Sequence, residues 1–217
     1  MNLKKLFTCC VCLLMLLWGG LMPCHATDDP SARKAAELFN RVYNMVMGDE
    51  GSSFHYSVNI IGIYKTEGDI IYKGKKSYYE EGRFAAWEDG ITTYKADKKK
   101  QMVNIYRADD DRKDEYMSKF KYDVNNFDFS YVTKGDYYEI TAKVRNAKFF
   151  GVREAKVMVR RSNLYPETLT VKVAFMRASI TISKFKAGGI SDSSFVFPAN
   201  RFKTYTTADH RNEYVKK

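Results

Sequence analysis

The chain has 217 residues, 45% hydrophobic and 29% charged, which supplies a packed core and excludes a disordered or collagen-like polymer. Its 16 Tyr, 14 Phe and alternating apolar runs favour strands, and one mainly β body of this length is within the usual range. Lys and Arg exceed Asp and Glu by +10, a balance that attracts anionic surfaces or nucleic acid.

Residues 1–26 predict an export signal: Lys4-Lys5, an apolar stretch from Leu6 to Leu21, and Cys24-His25-Ala26 as a small-residue cleavage site before Thr27. Gly19-Gly20 and Pro23 interrupt the apolar run and argue against a transmembrane anchor. A lipoprotein signal ending at Cys24 is the rival reading, disfavoured by Pro23 directly before the cysteine. Cys9, Cys10, Cys12 and Cys24 all lie in the leader, so a chain cleaved after Ala26 has no thiol and no disulfide to form. Cleavage also removes Lys4 and Lys5, taking the net charge from +10 to +8. Export argues against a nucleic-acid partner and for a phospholipid surface.

Residues 27–217 show no internal repeat and no linker, and read as one domain, a monomer. Asp29-Pro30-Ser31 followed by Ala32 to Met47 predicts a capped amphipathic helix with Ala35, Leu38, Phe39, Val42 and Val46 on one face. A strand follows in which Phe54, Tyr56, Val58 and Ile60 alternate with His55, Ser57 and Asn59, and Glu67-Gly68 opens its partner from Asp69 to Lys75. Ser77–Glu81, Arg83–Trp87 and Ile91–Ala96 are three short strands, with Asp89-Gly90 as a tight turn, and Gln101–Arg107 completes a hairpin. From Asp109 to Tyr131 the alternation breaks. It returns with Tyr138, Ile140, Ala142 and Val144, then with Ala155, Val157 and Val159. In Thr168–Met176, Leu169, Val171, Val173 and Phe175 oppose Thr168, Thr170 and Lys172, and Ile180 and Ile182 continue the same face.

Catalytic chemistry is not found. His55 and His210 are the histidines left after cleavage, too few ligands for a structural zinc site. No Gly-x-Ser-x-Gly elbow and no phosphate-binding glycine loop occurs, so no cofactor is predicted and the chain is not read as an enzyme. Asp109-Asp110-Asp111 lacks the sixth-position glycine and twelfth-position Glu of a calcium loop and reads as a solvated acidic loop. Glu80 and Glu81 are neighbours on a strand, so they face opposite ways and form no acid–base pair. Lys98-Lys99-Lys100 reads as a solubilising hairpin tip, with docking on anionic headgroups as its functional alternative.

The closing stretch Ile190-Ser191-Asp192-Ser193-Ser194-Phe195-Val196-Phe197-Pro198 resembles that of the periplasmic lipoprotein carriers, the LolA/LolB family. So does the block from Gly74-Lys75-Lys76-Ser77-Tyr78-Tyr79 to Trp87-Glu88-Asp89-Gly90-Ile91-Thr92-Thr93-Tyr94, and the tail Ala208-Asp209-His210-Arg211 is similar to a degraded form of that family's ending. The resemblance spans nearly all of residues 27–217 through loose patterns. It implies an open, strongly curved antiparallel sheet, a half-barrel of mainly β (α+β) class, with helices covering its concave face. It further implies a periplasmic carrier that binds the acyl chains of lipoproteins or a related lipid and shuttles them to the outer membrane. An inner-membrane donor and an outer-membrane acceptor would be its partners. The alternative on the same fold is a sensor module that binds a protein partner or lipid without transport.

The residues that would line a lipid cavity are Phe54, Tyr56, Val58, Ile60, Ile70, Tyr72, Tyr138, Ile140, Val144, Leu169, Val171, Val173, Phe175, Ile180 and Ile182. The same alternation serves a filled core equally well, and the resemblance favours the cavity. It also implies a lid helix within the irregular stretch, with Met117 and Phe120, three residues apart, on one side. Two departures from the family stand out: Lys75 or Lys76 occupies the place of an arginine that helps hold the lid, and Asp109–Glu115 replaces part of the lid region.

Overall fold

The computed structural model of the chain describes residues 29–60, 64–114, 126–145, 152–173 and 176–213. The predicted leader, Met117, Phe120 and Phe175 lie outside these residues, and of Ile60 and Val173 the backbone alone is described.

Helix α1, Pro30–Met47, begins where its sequence says it should. The Asp29 carboxylate accepts from the Ser31 amide at 2.9 Å, and Pro30 sits at a first-turn position that needs no N–H. Its buried face is Ala35, Ala36, Leu38, Val42, Val46 and Met47. The strands are β1 Ser52–Ile60, β2 Tyr64–Lys73, β3 Lys76–Glu81, β4 Phe84–Glu88, β5 Thr92–Asp97, β6 Met102–Arg107, β7 Phe127–Lys134, β8 Tyr137–Val144, β9 Val152–Arg160, β10 Pro166–Val173, β11 Met176–Ala187 and β12 Thr206–Asp209. They form one open sheet in the order β12-β6-β5-β4-β3-β2-β1-β11-β10-β9-β8-β7. Every pairing is antiparallel except β12 with β6, so the expected antiparallel sheet is a mixed one with a parallel edge. Register shifts between Ser53 and His55, Pro166 and Thr168, and Lys172 and Val173 are the kind of irregularity that bends a strand and lets a wide sheet curl.

The helix lies across the strands. Ala35 and Ala36 pack with Phe127, Phe129 and Ala142, while Val42, Val46 and Met47 pack with Phe54, Tyr56 and Ile70. Eighteen residues make roughly 27 Å of helix, close to the roughly 29 Å spanned by the six strand steps from β2 to β7. The Ser52 hydroxyl donates to the Val46 carbonyl at 2.8 Å and ties the helix end to β1.

On β3–β6 the opposite face is also covered. Ala85, Trp87, Ala96 and Val103 pack under Phe202, with Phe197 and Tyr205 beside it, and Phe197 stacks on Tyr94 with ring centres 4.5 Å apart. The closing stretch is therefore a cap on the outer face, built from two short 3-10 turns, Asp192–Phe195 and Ala199–Phe202.

The structure differs from the sequence-based expectation at four further places. The alternation does not break as far as Tyr131, because β7 already starts at Phe127. Glu67-Gly68 does not open a strand but lies inside β2, paired with Ser57 and Tyr56. Asp110 is not solvated: it is 0% exposed and accepts from the Arg112 amide and guanidinium, both at 2.8 Å. Burial pushes its carboxyl pKa up, but these bonds outweigh that and hold it below the ordinary value. Lys98 is not tip decoration either, since its ammonium donates to Glu80 at 2.9 Å and to the Glu81 carbonyl at 2.6 Å.

Candidate ligand-binding face

Strand pairing lines up the predicted residues into cross-strand rows. One row runs Tyr131, Ile140, Val157, Leu169, Ile180, Val58, Thr66 across seven strands. Its neighbour runs Phe129, Ala142, Ala155, Val171, Ala178. Phe54, Tyr56, Val58, Ile70, Tyr72, Ile140, Ile180 and Ile182 fall in one buried cluster, with Tyr138 and Leu169 packed on it. Val171 sits apart with Val152, and Val144 and Leu169 flank that pair.

Among the described residues this face is packed. Tyr56, Val58, Ile70, Ile140, Val171 and Ile180 are each 0% exposed, and Leu38, Val42, Val46 and Met47 of α1 pack against the large cluster. Sequence reading missed Phe127 and Phe129, whose alternation was the available signal. It also missed Tyr79 and Leu164, which join the large cluster from β3 and from the turn after β9.

One acid intrudes on this face. The Glu81 carboxylate accepts from Thr66 Oγ1 at 3.1 Å and from the Tyr56 hydroxyl at 3.4 Å. Burial pushes its pKa up, against the lowering effect of those bonds and of Lys98 and Lys95. Glu80 points the other way and bonds Arg201, Lys98 and Tyr78, as the strand period requires. The Arg201 guanidinium is the main reason its pKa falls to about 2.

At the β4–β6 end, Lys113 donates to both Glu88 carboxylate oxygens at 2.9 Å and to the Ala108 carbonyl. Lys95 donates to the Lys113 carbonyl at 3.3 Å. These bonds fix the short 3-10 turn Asp111–Asp114 against the sheet. An open cleft of about 560 Å³ lies elsewhere, lined by Asp136, Tyr137, Tyr138, Arg160, Arg161 and Ser162. Its arginines are committed: Arg160 pairs with Glu167, and Arg161 donates to the Gly135 carbonyl at 3.2 Å and lies over the Tyr138 ring. Of the predicted cavity residues only Tyr138 lines it.

No family model matches the chain, and no curated protein does. Among solved structures, an uncharacterized conserved protein from Thermus thermophilus is similar in fold, with a TM-score of 0.54, 9% identity, and coverage of 81% of this chain and 99% of that one. A LolA superfamily protein from Nitrosomonas europaea matches with a TM-score of 0.37 and 8% identity, covering 78% of this chain and 99% of that one. MucB matches with a TM-score of 0.44 and 8% identity, covering 79% of this chain and 65% of that one.

Proposed function

We propose that the chain is an exported, periplasmic binding protein of the lipoprotein-carrier type. It takes up acyl chains of a lipoprotein or related lipid on the inner face of the sheet and passes them toward the outer membrane. The observation that carries this reading is a cross-strand row, apolar on six strands from Tyr131 to Val58, that lies under one transverse helix among the described residues: withdrawing that 18-residue element uncovers a continuous apolar surface. The export signal and the sequence resemblance to the carrier family point the same way, and they supply the expected partners, an inner-membrane donor and an outer-membrane acceptor.

Because the face is filled, α1 has to leave before a ligand enters, and this suits a shuttle. Burying acyl chain contributes about 0.8 kcal/mol per methylene, so several full chains on a ready-made cavity would exceed the ceiling of about 18–21 kcal/mol for noncovalent affinity. Displacing Leu38, Val42, Val46 and Met47 offsets part of that gain and keeps release feasible.

The complete burial of Tyr56, Ile140 and Ile180 favours a second reading, a sensor module that binds a protein partner and no lipid. Native mass spectrometry of the exported protein separates the two. Bound lipid or lipopeptide that an acceptor membrane removes supports the carrier. A lipid-free chain that refuses lipid, together with a stoichiometric protein partner, supports the sensor and ends the carrier reading.

A further inference from the structure

The outer face of β7–β11 and β1–β2 is wet, and its charges are arranged unevenly along the strand axis. At the end where β10 turns into β11, Lys172 pairs directly with Arg177 in the register. Like charges placed opposite each other on a sheet repel, and Glu154 on the other side of Lys172 offsets part of that repulsion. The same cross-strand row reads Asp128, Lys143, Glu154, Lys172, Arg177, where Asp128 pairs with Arg145 and Glu154 with Lys156, and Lys65 lies at the same end on β2. Among the described residues none of Lys65, Lys143, Lys172 and Arg177 has an acid at ion-pair distance. The β5–β6 tip, on the same side of the sheet's length, adds Lys99 and Lys100. Both are exposed, and the Asp97 carboxylate accepts from their amides at 3.0 and 3.1 Å, which holds the tip rigid.

The opposite end neutralises most of its charges locally: Lys134 with Glu139, Arg160 with Glu167, Lys73 with Asp192, and His55 beside Asp69. Among the described residues, Lys184 and Lys186 are the cations left unpaired along β11 there.

We propose that the basic end, centred on Lys172 and Arg177 and joined by Lys143, Lys65, Lys99 and Lys100, docks the protein on an anionic phospholipid membrane. The chemistry fits a lipid surface because the cations are spread over separate strands and a hairpin tip, and do not converge on a pocket. A delocalised sheet of negative headgroups meets such a pattern, whereas a small anion or a single carboxylate meets one charge at a time. This goes beyond lipid carriage: the docking surface is the outer face, and it is independent of any acyl chain under α1.

The test is cosedimentation of the full chain with vesicles of equal parts phosphatidylglycerol and phosphatidylcholine, and with phosphatidylcholine alone. The expected result is binding to the anionic vesicles only, released by high salt. It should fall at least roughly tenfold in K172E/R177E and in K99E/K100E, and persist in K184E/K186E. Circular dichroism of each variant confirms folding, and the two separate basic-end variants guard against one failing to fold. Absent binding, salt-insensitive binding, an equal loss in K184E/K186E, or stronger binding to soluble polyphosphate than to vesicles would each overturn the proposal.

Discussion

The Tyr56 hydroxyl crosses the bare backbone of Gly68 to reach the carboxylate of Glu81, 3.4 Å away. The three residues belong to neighbouring strands, Tyr56 facing Gly68 and Gly68 facing Glu81, so the cross-strand row has a gap where a side chain is missing. A glycine inside a strand ordinarily weakens it. Here it lets a fully buried tyrosine lie flat along the sheet and satisfy both its own hydroxyl and an acid that burial disfavours.

Gly68→Ala should therefore destabilise the protein by about 1–3 kcal/mol, the usual range for overpacking. A Cβ there would lie 2.9 Å from the Tyr56 hydroxyl and 2.3 Å from the Glu80 carbonyl oxygen, and backbone cannot move aside cheaply. Tyr56→Phe, which deletes only the hydroxyl, should cost about 1 kcal/mol, since Thr66 still holds Glu81. Chemical denaturation measures both, and a Gly68→Ala protein as stable as the parent would mean Tyr56 does not lie over that position.

The two neighbouring glutamates should pull stability in opposite directions with pH. Burial raises the folded-state pKa of Glu81 above 4.5, so the folded chain holds this proton to higher pH than the unfolded chain does. Its contribution is most favourable below about 4.5 and declines as pH rises through the raised value. Glu81→Gln should remove that decline. Glu80 is lowered to about 2, chiefly by Arg201, so its contribution is present above about 4.5 and is lost as pH falls toward about 2. Denaturation of Glu81→Gln, Glu80→Gln and the parent across a pH series gives the check: curves that stay parallel contradict both assignments.

Much of this was legible because period-two alternation is visible wherever one strand face is dry. Leu169 and Val171 against Thr170 and Lys172, or Tyr56 and Val58 against His55 and Ser57, can be read directly. Phe127, Phe129 and Tyr131 alternate equally well, yet β7 was hidden because its signal begins behind a charged, irregular run. Gly68 was hidden for a different reason: its role depends on a residue twelve positions earlier in sequence, which no local pattern shows. The filling of the inner face was also out of reach, since an empty cavity and a packed core demand the same strand pattern. That Trp87 and Ala85 face a second buried layer depends on where Phe197 and Phe202 return, and this is tertiary information.

Strand register can be tested at two adjacent positions. Val171 is fully buried between Ala155 and Ala178, so Val171→Asp places an unpaired carboxylate in an apolar site and should cost several kcal/mol. Lys172→Asp, on the wet face between Arg177 and Glu154, should cost little, because the like-charge pair it relieves with Arg177 is offset by the one it creates with Glu154. Thermal melting decides it, and two variants with the same midpoint would show the β10 register to be wrong.

Helix α1 closes the inner face through Leu38, Val42, Val46 and Met47. If acyl chains enter where Leu38, Val42, Val46 and Met47 now pack, then binding has to displace α1 while leaving the strand ladders intact. Amide exchange distinguishes these parts because the helix hydrogen bonds are its own, whereas each central strand is bonded on both sides. Loading the protein with a diacylated lipopeptide should therefore speed exchange across Pro30–Met47 and leave β1, β10 and β11 protected. Val42→Ala weakens the packing without adding polarity. It should cost roughly 1–3 kcal/mol of stability and raise lipid uptake, because less of the helix contact has to be broken. Uptake that proceeds with α1 as protected as before would place the ligand elsewhere, and a Val42→Ala protein that loses uptake along with stability would make the helix part of the binding surface.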